Sequence, residues 1–549
     1  MGGLMKPARF LLPFLFSGFA TAAPAPRETA ICVYGGTSGA VVAAVQAKKS
    51  GKEVILVSPD QHLGGLTSGG LGWTDLGDAR ILGGLSLSFY QKVHDHYSKD
   101  EAWDLQPRAR YGNAGQGAKA INEVNRTMSV FEPKVAEAIF DGWIQEHQIP
   151  VIHGRLDRSA TGLTKDGSRI TSIRTEDGQT IRAQVFIDAT YEGDLMALAG
   201  VSYTVGREPN SRYQETLNGI QTARATGNQL PKSIDPHVKP GDPASGLLPG
   251  VNAEAGGAEG SGDKRVQAYC YRMCLTNHEP NRLPVEKPAG YREADYELVF
   301  RAIEAGQTKG FFKLDPLPNH KTDSNNSGGI STDLLTTLDD AYPDGDYATR
   351  ERIAKAHEQW QRGLVWTLQN HPRVPEAIRK AYSAWGLPKD EFPDTGHWPH
   401  ALYVREARRM TSDFVMTQAL VTKSEGLERS VAMGAYGMDS HNVQRHVGTD
   451  GFVRNEGDVQ VKVPRPYRID YGAIVPKPGE CTNLLVTFCM SASHIAFGSI
   501  RMEPVFMALS QSAATAASLA IDGKTGVQEV PYAKLKEKLL QDGQKLTLE

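Results

Sequence analysis

Three stretches of this 549-residue chain hold side chains able to move a proton or grip an anion. The first, Ser491 to Glu503, places His494 and Arg501 between an apolar run, Asn483–Phe488, and Pro504. The second is His397-Trp398-Pro399-His400-Ala401-Leu402-Tyr403-Val404-Arg405-Glu406. If extended, it turns Tyr403 and Arg405 to one face and Glu406 to the other. The third, Gly437-Met438-Asp439-Ser440-His441-Asn442, is loop-like and dense in groups that carry protons or hold hydroxyls. Imidazoles titrate near neutral pH, so His494 and His441 are the candidate bases. Arg405 and Arg501 are the candidate grips for a carboxylate or oxyanion, and Asp439 is a further catalytic candidate. Each stretch also has a structural reading: a histidine bonded to backbone, or a buried network among Arg405, Glu406, Arg408 and Arg409. Glu503 is expected to pair with Arg501 or to cap the helix that Pro504 opens.

What must position these groups is clearest near the N-terminus. Ala30-Ile31-Cys32-Val33-Tyr34 is an apolar run without a polar break, suited to a buried parallel strand. Gly35-Gly36-Thr37-Ser38-Gly39-Ala40 follows, then a helix of small apolar residues that Gly51 ends, then a second strand, Glu53–Val57. This strand, glycine turn, helix and strand reads as a dinucleotide-binding unit, in which backbone amides approach a pyrophosphate at a helix N-terminus. Against G-x-G-x-x-G, the second and third glycines are replaced by Thr37 and Ala40, and Ser58, followed by Pro59, stands where an acid is expected for a ribose diol. A second glycine cluster, His62 to Gly72, includes Gly64, Gly65, Leu66 and Thr67. A flavin whose ribityl chain and ring lie against backbone explains it.

With Ile81-Leu82-Gly83-Gly84-Leu85, Asp188 to Leu195 and Asn483 to Ala517, these motifs resemble a bacterial family of FAD-dependent oxidoreductases, distantly similar to fumarate reductase and succinate dehydrogenase flavoproteins. The resemblance runs over nearly the whole mature chain. It implies FAD as cofactor, Arg155 and Leu156 near the adenine, and Ala189 and Thr190 as a second cofactor-contacting strand end. It also implies that the helix opened by Pro504, with its Ala508, Ser512 and Ala516 stripe, aims its positive end at the flavin. His494 and Arg501 would then border the ring. His62 stands just before the glycine loop, a place that differs from the histidine by which some related flavoproteins attach FAD.

The expected fold class is α/β: a Rossmann-like FAD-binding domain, a parallel sheet with helices on both sides, interrupted by a mixed α+β substrate or cap domain. Residues 1–22 read as a signal peptide, 28–205 and 467–535 as the two parts of the FAD-binding domain, and 206–466 as the cap. Lys6 and Arg9, the apolar core Phe10–Phe19 and the Ala20-Thr21-Ala22 site predict an exported, periplasmic or secreted protein. No other stretch reads as a membrane span of ~20 residues. Gly241 to Gly262 is expected to be a mobile loop. A net charge of −3 and the lack of a basic stripe argue against nucleic acid. The five cysteines match neither a disulfide framework nor a zinc site.

The expected function is oxidation of a polar small molecule, with a carbohydrate-derived compound considered, by hydride transfer to flavin N5. No second dinucleotide motif is visible, so dioxygen, a quinone or a cytochrome is considered as acceptor. A flavin-assisted lyase or isomerase, or an exported flavin-containing binding protein, are the alternatives.

Overall fold

The computed structural model describes residue 2 and residues 25–116, 119–423 and 426–548. The expected leader's apolar core and cleavage site lie outside them.

A seven-stranded sheet organises the molecule. Arg27–Tyr34 runs parallel to Val54–Ser58 on one side and to Thr180–Asp188 on the other. Val151–His153 extends the sheet beyond Val54–Ser58. Thr180–Asp188 is shared along its length. Its first half pairs antiparallel with Arg169–Arg174, which turns back on Leu163–Asp166. Its second half pairs in parallel with Leu484–Val486, with Val486 opposite Asp188. Tyr34 and Val486 therefore flank Asp188 at the carboxyl edge.

The apolar runs without alternation follow from burial on both faces. Ile31, Val33, Leu56, Val185, Ile187 and Leu485 point into one core. Cys32, Tyr34, Ile55, Val57, Phe186 and Val486, their neighbours along the strands, point into a second. Helix Ser38–Lys49 packs in the first core against helix Glu503–Gly523. Glu503–Gly523 has the length and apolar content of a membrane span, but 89% of its most apolar window is buried, so it serves as a core helix.

Ser491 to Glu503, read as a loop, contains a short helix, His494–Ile500, capped by Ser493. Part of the expected mobile loop is ordered as a hairpin, His237–Lys239 against Asp242–Leu247. A separate apolar cluster holds together much of the middle third around helix Tyr347–Asn370. Strand Ser430–Gly434 pairs with Tyr467–Asp470, and Val431, Ala432 and Met433 lie in the core of the nucleotide lobe. All five cysteines are free and buried.

Candidate functional site

The carboxyl edge of the sheet is built by close backbone approach. Gly35 has φ +139°, and a Cβ there would lie 2.5 Å from the Ala189 carbonyl oxygen. Thr37 caps the following helix: its hydroxyl donates to the Ala189 carbonyl (2.8 Å) and accepts from the Ala40 amide (3.1 Å). Gly39 packs so closely that a Cβ would meet the Phe488 ring at 2.6 Å. The Gly36 carbonyl accepts from the Gly64 amide at 2.8 Å, which ties the second glycine loop to the first. Asp188 latches the neighbouring strand end by accepting from the Thr190 amide and hydroxyl and from the Met196 amide. Burial pushes its carboxyl up to about 6.

Glu503 differs from expectation. Its carboxylate reaches across the glycine turns rather than to Arg501, accepting from Ser38 (2.5 Å), Thr67 (2.6 Å) and Tyr191 (2.7 Å). Tyr191 in turn accepts from the Leu66 amide at 2.9 Å. Burial raises the Glu503 carboxyl above its ordinary value against the three donors that lower it. The first turn of helix Ser38–Lys49, Ser38 and Thr67 thus make an end whose donors already hold an anionic side chain.

Ser58 turns its hydroxyl to the Asp60 carbonyl (2.7 Å), and Pro59 links the two. The Asp60 carboxylate lies 3.3 Å from where a Gly36 Cβ would be. It is the acid at the glycine turn that the reading of the sequence missed, displaced two residues beyond the place where the fingerprint expects one. Arg155 pairs with Glu351 (2.5 Å) and covers the Tyr347 ring at 5.1 Å. Leu156 is buried, its amide donating to Tyr34 and its carbonyl accepting from Tyr347.

Beside this edge lies a narrow cavity. Leu66, Leu71, Phe488, Phe497 and Phe506 supply its apolar wall, and Asp75, Tyr403, Arg405, Arg501 and Glu503 its polar one. Arg501 Nη1 donates to the Tyr403 phenol (2.6 Å), and Nη2 lies 3.2 Å from Asp439 Oδ2. Arg405 lies over the Tyr403 ring at 4.6 Å and Arg272 at 5.7 Å. Arg405 pairs with Asp333 (3.1 Å), and His441 bridges Asp333 (3.5 Å) and Asp439 (3.4 Å). The neighbouring His441 and Arg501 hold the Asp439 carboxyl well below its usual range. Several buried polar atoms here have no hydrogen-bond partner: Arg405 Nε, Arg501 Nε, His441 Nδ1 and both Asp333 carboxylate oxygens.

His494 sits one layer back and does not line this cavity. Its Nδ1 is 2.7 Å from Glu406 Oε2 and its Nε2 3.0 Å from the Ser440 hydroxyl. Glu406, held down to about 2 chiefly by His494 and Arg409, also accepts from Gln267. The structure therefore gathers Arg501, Arg405, Asp439 and His441 around Tyr403 and attaches His494 through Ser440, the neighbour of Asp439. Tyr403 as the centre of that group, and Glu503 as an anion on the glycine turns, are legible only once distant segments meet. His62 has both ring nitrogens engaged, by Glu137 (2.6 Å) and Asp394 (3.0 Å), and stacks on His400 at 4.2 Å.

A parallel sheet carrying a glycine turn, a helix N-terminus and a second glycine loop at its carboxyl edge defines a Rossmann-like dinucleotide-binding protein. The glycine turns, where a side chain would clash, fit the close backbone approach that a pyrophosphate makes. The chain belongs to the family described as FAD dependent oxidoreductase, whose profile matches residues 30–539, with FAD as its cofactor. Among solved structures it is similar to an L-proline dehydrogenase from P. horikoshii (17% identity, 34% of this chain, 59% of that chain, TM-score 0.23). It is also similar to an L-amino acid deaminase from Proteus vulgaris (12% identity, 38% and 55%, TM-score 0.22). A flavin-containing monooxygenase from Stenotrophomonas maltophilia matches at 15% identity, over 36% and 45%, with a TM-score of 0.18. The chain spans less than two thirds of each of these proteins, and likenesses this distant carry nothing about substrate. No curated protein matches.

Proposed function

We propose that this chain oxidises a polar small molecule bearing hydroxyl or carboxylate groups, with carbohydrate-derived compounds as the leading class. The observation that carries the reading is the buried phenol of Tyr403 held by Arg501 and flanked by Arg405 in the cavity beside the glycine turns. FAD, when bound, supplies the two-electron acceptor for hydride transfer. Gly35 to Ala40, Ser58, Asp60, Gly64 to Thr67, Ala189 and Thr190 are the residues proposed to hold it.

The chain's own groups divide the remaining work. Arg501 and Arg405 neutralise an anionic group or developing oxyanion on the substrate. Tyr403, whose phenol burial keeps neutral, donates a hydrogen bond to the substrate oxygen and so stabilises the oxyanion formed as the hydroxyl proton leaves to a base. His441, joined to Arg501 through the Asp439 carboxylate, is the imidazole that takes up a proton, and His494 orients this cluster through Ser440.

Anaerobic mixing of the FAD-loaded protein with sugars, polyols and sugar acids tests the reading. Bleaching of the flavin band by one of them, with stoichiometric oxidised product, supports it. Product without bleaching would replace it with a lyase or isomerase, and binding without either with a carrier role. We further propose export, supported by the leader pattern in residues 1–22, and dioxygen, a quinone or a cytochrome as acceptor. N-terminal sequencing of the native protein, expected to begin at Ala23, tests the address.

A further inference from the structure

The nine arginines buried among the described residues are not equivalent. Eight have a carboxylate within ion-pair reach. Arg445, only 5% exposed, has none. It lies on strand Gln444–Val447, where its Nε donates to Asn455 Oδ1 (3.0 Å) and its Nη2 to the Gly329 carbonyl (3.1 Å). Both partners are neutral, so the guanidinium keeps its charge in a desolvated place without a counter-ion. Burial lowers its pKa to about 10, with Asp333 the charge opposing that shift. An uncompensated buried charge is costly, and folded proteins carry one mainly where something else completes it.

Arg445 also lines two adjoining cap cavities of about 290 and 160 Å³, which share Gly250, Leu335 and Thr336. The larger is walled by apolar side chains, among them Leu298, Ile330 and Leu335, and by Trp360 and Tyr296, stacked at 4.9 Å with an interplanar angle of 1°. The polar tips of both rings are already bonded: Trp360 to the Ser331 carbonyl (3.0 Å) and Tyr296 to the Trp360 carbonyl (3.2 Å). Tyr296 is sandwiched between Trp360 and Tyr291, so the ring surface left to the cavity is that of Trp360. Exposed Pro249, Gly290 and Arg292 form the mouth.

We propose that these joined cavities form a binding site for a small organic acid with an apolar body, which packs on Trp360 and the neighbouring leucine and isoleucine side chains while its carboxylate pairs with Arg445. The site is distinct from the flavin-side cavity and does not depend on the reading of that cavity: Asp333, which pairs with Arg405, lies between them electrostatically. The apolar wall of the larger cavity ends at Arg445, while the smaller adds Arg265 and the Asp340 carboxylate. The apolar wall selects against sugars, whose hydroxyls would be stranded there, and Arg445 selects against neutral amides, which leave it uncompensated.

Isothermal titration of the FAD-loaded protein with phenylacetate, phenylacetamide and glucuronate tests the proposal. Phenylacetate is expected to bind at one site per chain, with the amide and the uronate each at least about tenfold weaker, the scale of a lost charge-assisted pair or of a stranded apolar wall. Arg445→Met is expected to abolish phenylacetate binding and Arg445→Lys to retain part of it. Ala356→Phe, which fills the larger cavity without touching Arg445, is expected to block it, so the test survives if Arg445→Met fails to fold. Absence of phenylacetate binding, equal binding of the amide or uronate, or binding that survives Ala356→Phe would overturn the proposal. So would binding lost in Arg501→Met but kept in Arg445→Met, which would move the acid to the flavin side.

Discussion

Arg501 Nη1 donates a 2.6 Å hydrogen bond to the phenol oxygen of Tyr403. The phenol thereby accepts from a fixed cation, and its own proton is free for a group in the cavity. Burial raises the Tyr403 pKa and Arg501 opposes that rise, so Tyr403 stays a neutral donor whose proton is more acidic than burial alone would leave it. Replacing Tyr403 with Phe keeps the ring between Arg405 and Arg501. It is expected to slow flavin reduction about 100-fold with FAD retained, read by anaerobic stopped-flow. A normal rate would reduce Tyr403 to a spacer.

Arg501→Lys is expected to behave nearly as poorly as Arg501→Ala. A lysine cannot serve both Tyr403 and Asp439 through the planar fork that does so now. The loss should appear as a higher KM if Arg501 grips the substrate, or as a lower kcat if it stabilises charge only in the transition state. Steady-state kinetics on the substrate found by the mixing screen separate the two. Full activity in Arg501→Lys would show that the charge alone matters.

His494→Ala is expected to retain FAD and to lower the rate of flavin reduction by about 100-fold, as for a lost general base or the group that orients one. Because His494 stands between Ser440 and Glu406 rather than in the cavity, a positioning role predicts that the pH profile keeps its acidic limb, where activity rises as the base loses its proton. His441→Ala is expected to abolish that limb. A profile unchanged in His441→Ala and flattened in His494→Ala would exchange their roles.

Glu503→Ala strips the acceptor from three hydroxyls, those of Ser38, Thr67 and Tyr191. Denaturant unfolding of the apoprotein should show a loss on the order of 2 kcal/mol or more, since buried donors left without a partner cost about 1–3 kcal/mol each. A variant as stable as the parent would mean that water reaches these groups freely.

Glu192 sets a pH dependence. Burial raises its carboxyl to about 7 against the nearby Arg350, with Asp194 and Asp60 adding to the rise, and Tyr342 donates to it at 3.1 Å. In the unfolded chain the group titrates near ~4.3, so between that value and about 7 the native state binds the extra proton. Its effect is therefore to lower stability as pH rises through this window, by at most about 4 kcal/mol. Glu192→Gln should flatten the fall in melting temperature between pH 5 and 7.5, probe values chosen around ~4.3–7. An unchanged slope would place the effect elsewhere.

The nucleotide unit was legible because its signals are local. The apolar run ending at Tyr34, the glycine turn and the small-residue helix each lie within a few residues, and both faces of the strands are buried. Pro504 likewise marked the start of the core helix within one residue. The site was less legible because its contacts are remote: Glu503 meets Ser38 across 465 positions. Arg501 and Glu503 looked paired because they are two residues apart. Arg501, however, ends one helix and Glu503 begins the next, so their side chains diverge to Tyr403 and to the glycine turns. Asp60 escaped notice for a different reason, since the turn after Ser58 carries the acid past the position where the fingerprint expects it.

The strand Thr180–Asp188 is completed on one flank by residues near the start of the chain and on the other by Leu484–Val486. A ribosome must therefore finish most of the polypeptide before the sheet can close, and Glu503–Gly523 emerges later still. Contacts of such long sequence separation make folding slow and leave the nascent chain open. The cofactor pocket is thus assembled late, by residues more than four hundred positions beyond the glycine turn. Truncation before helix Glu503–Gly523 should leave an N-terminal fragment that has every glycine of the dinucleotide turn and still cannot retain FAD.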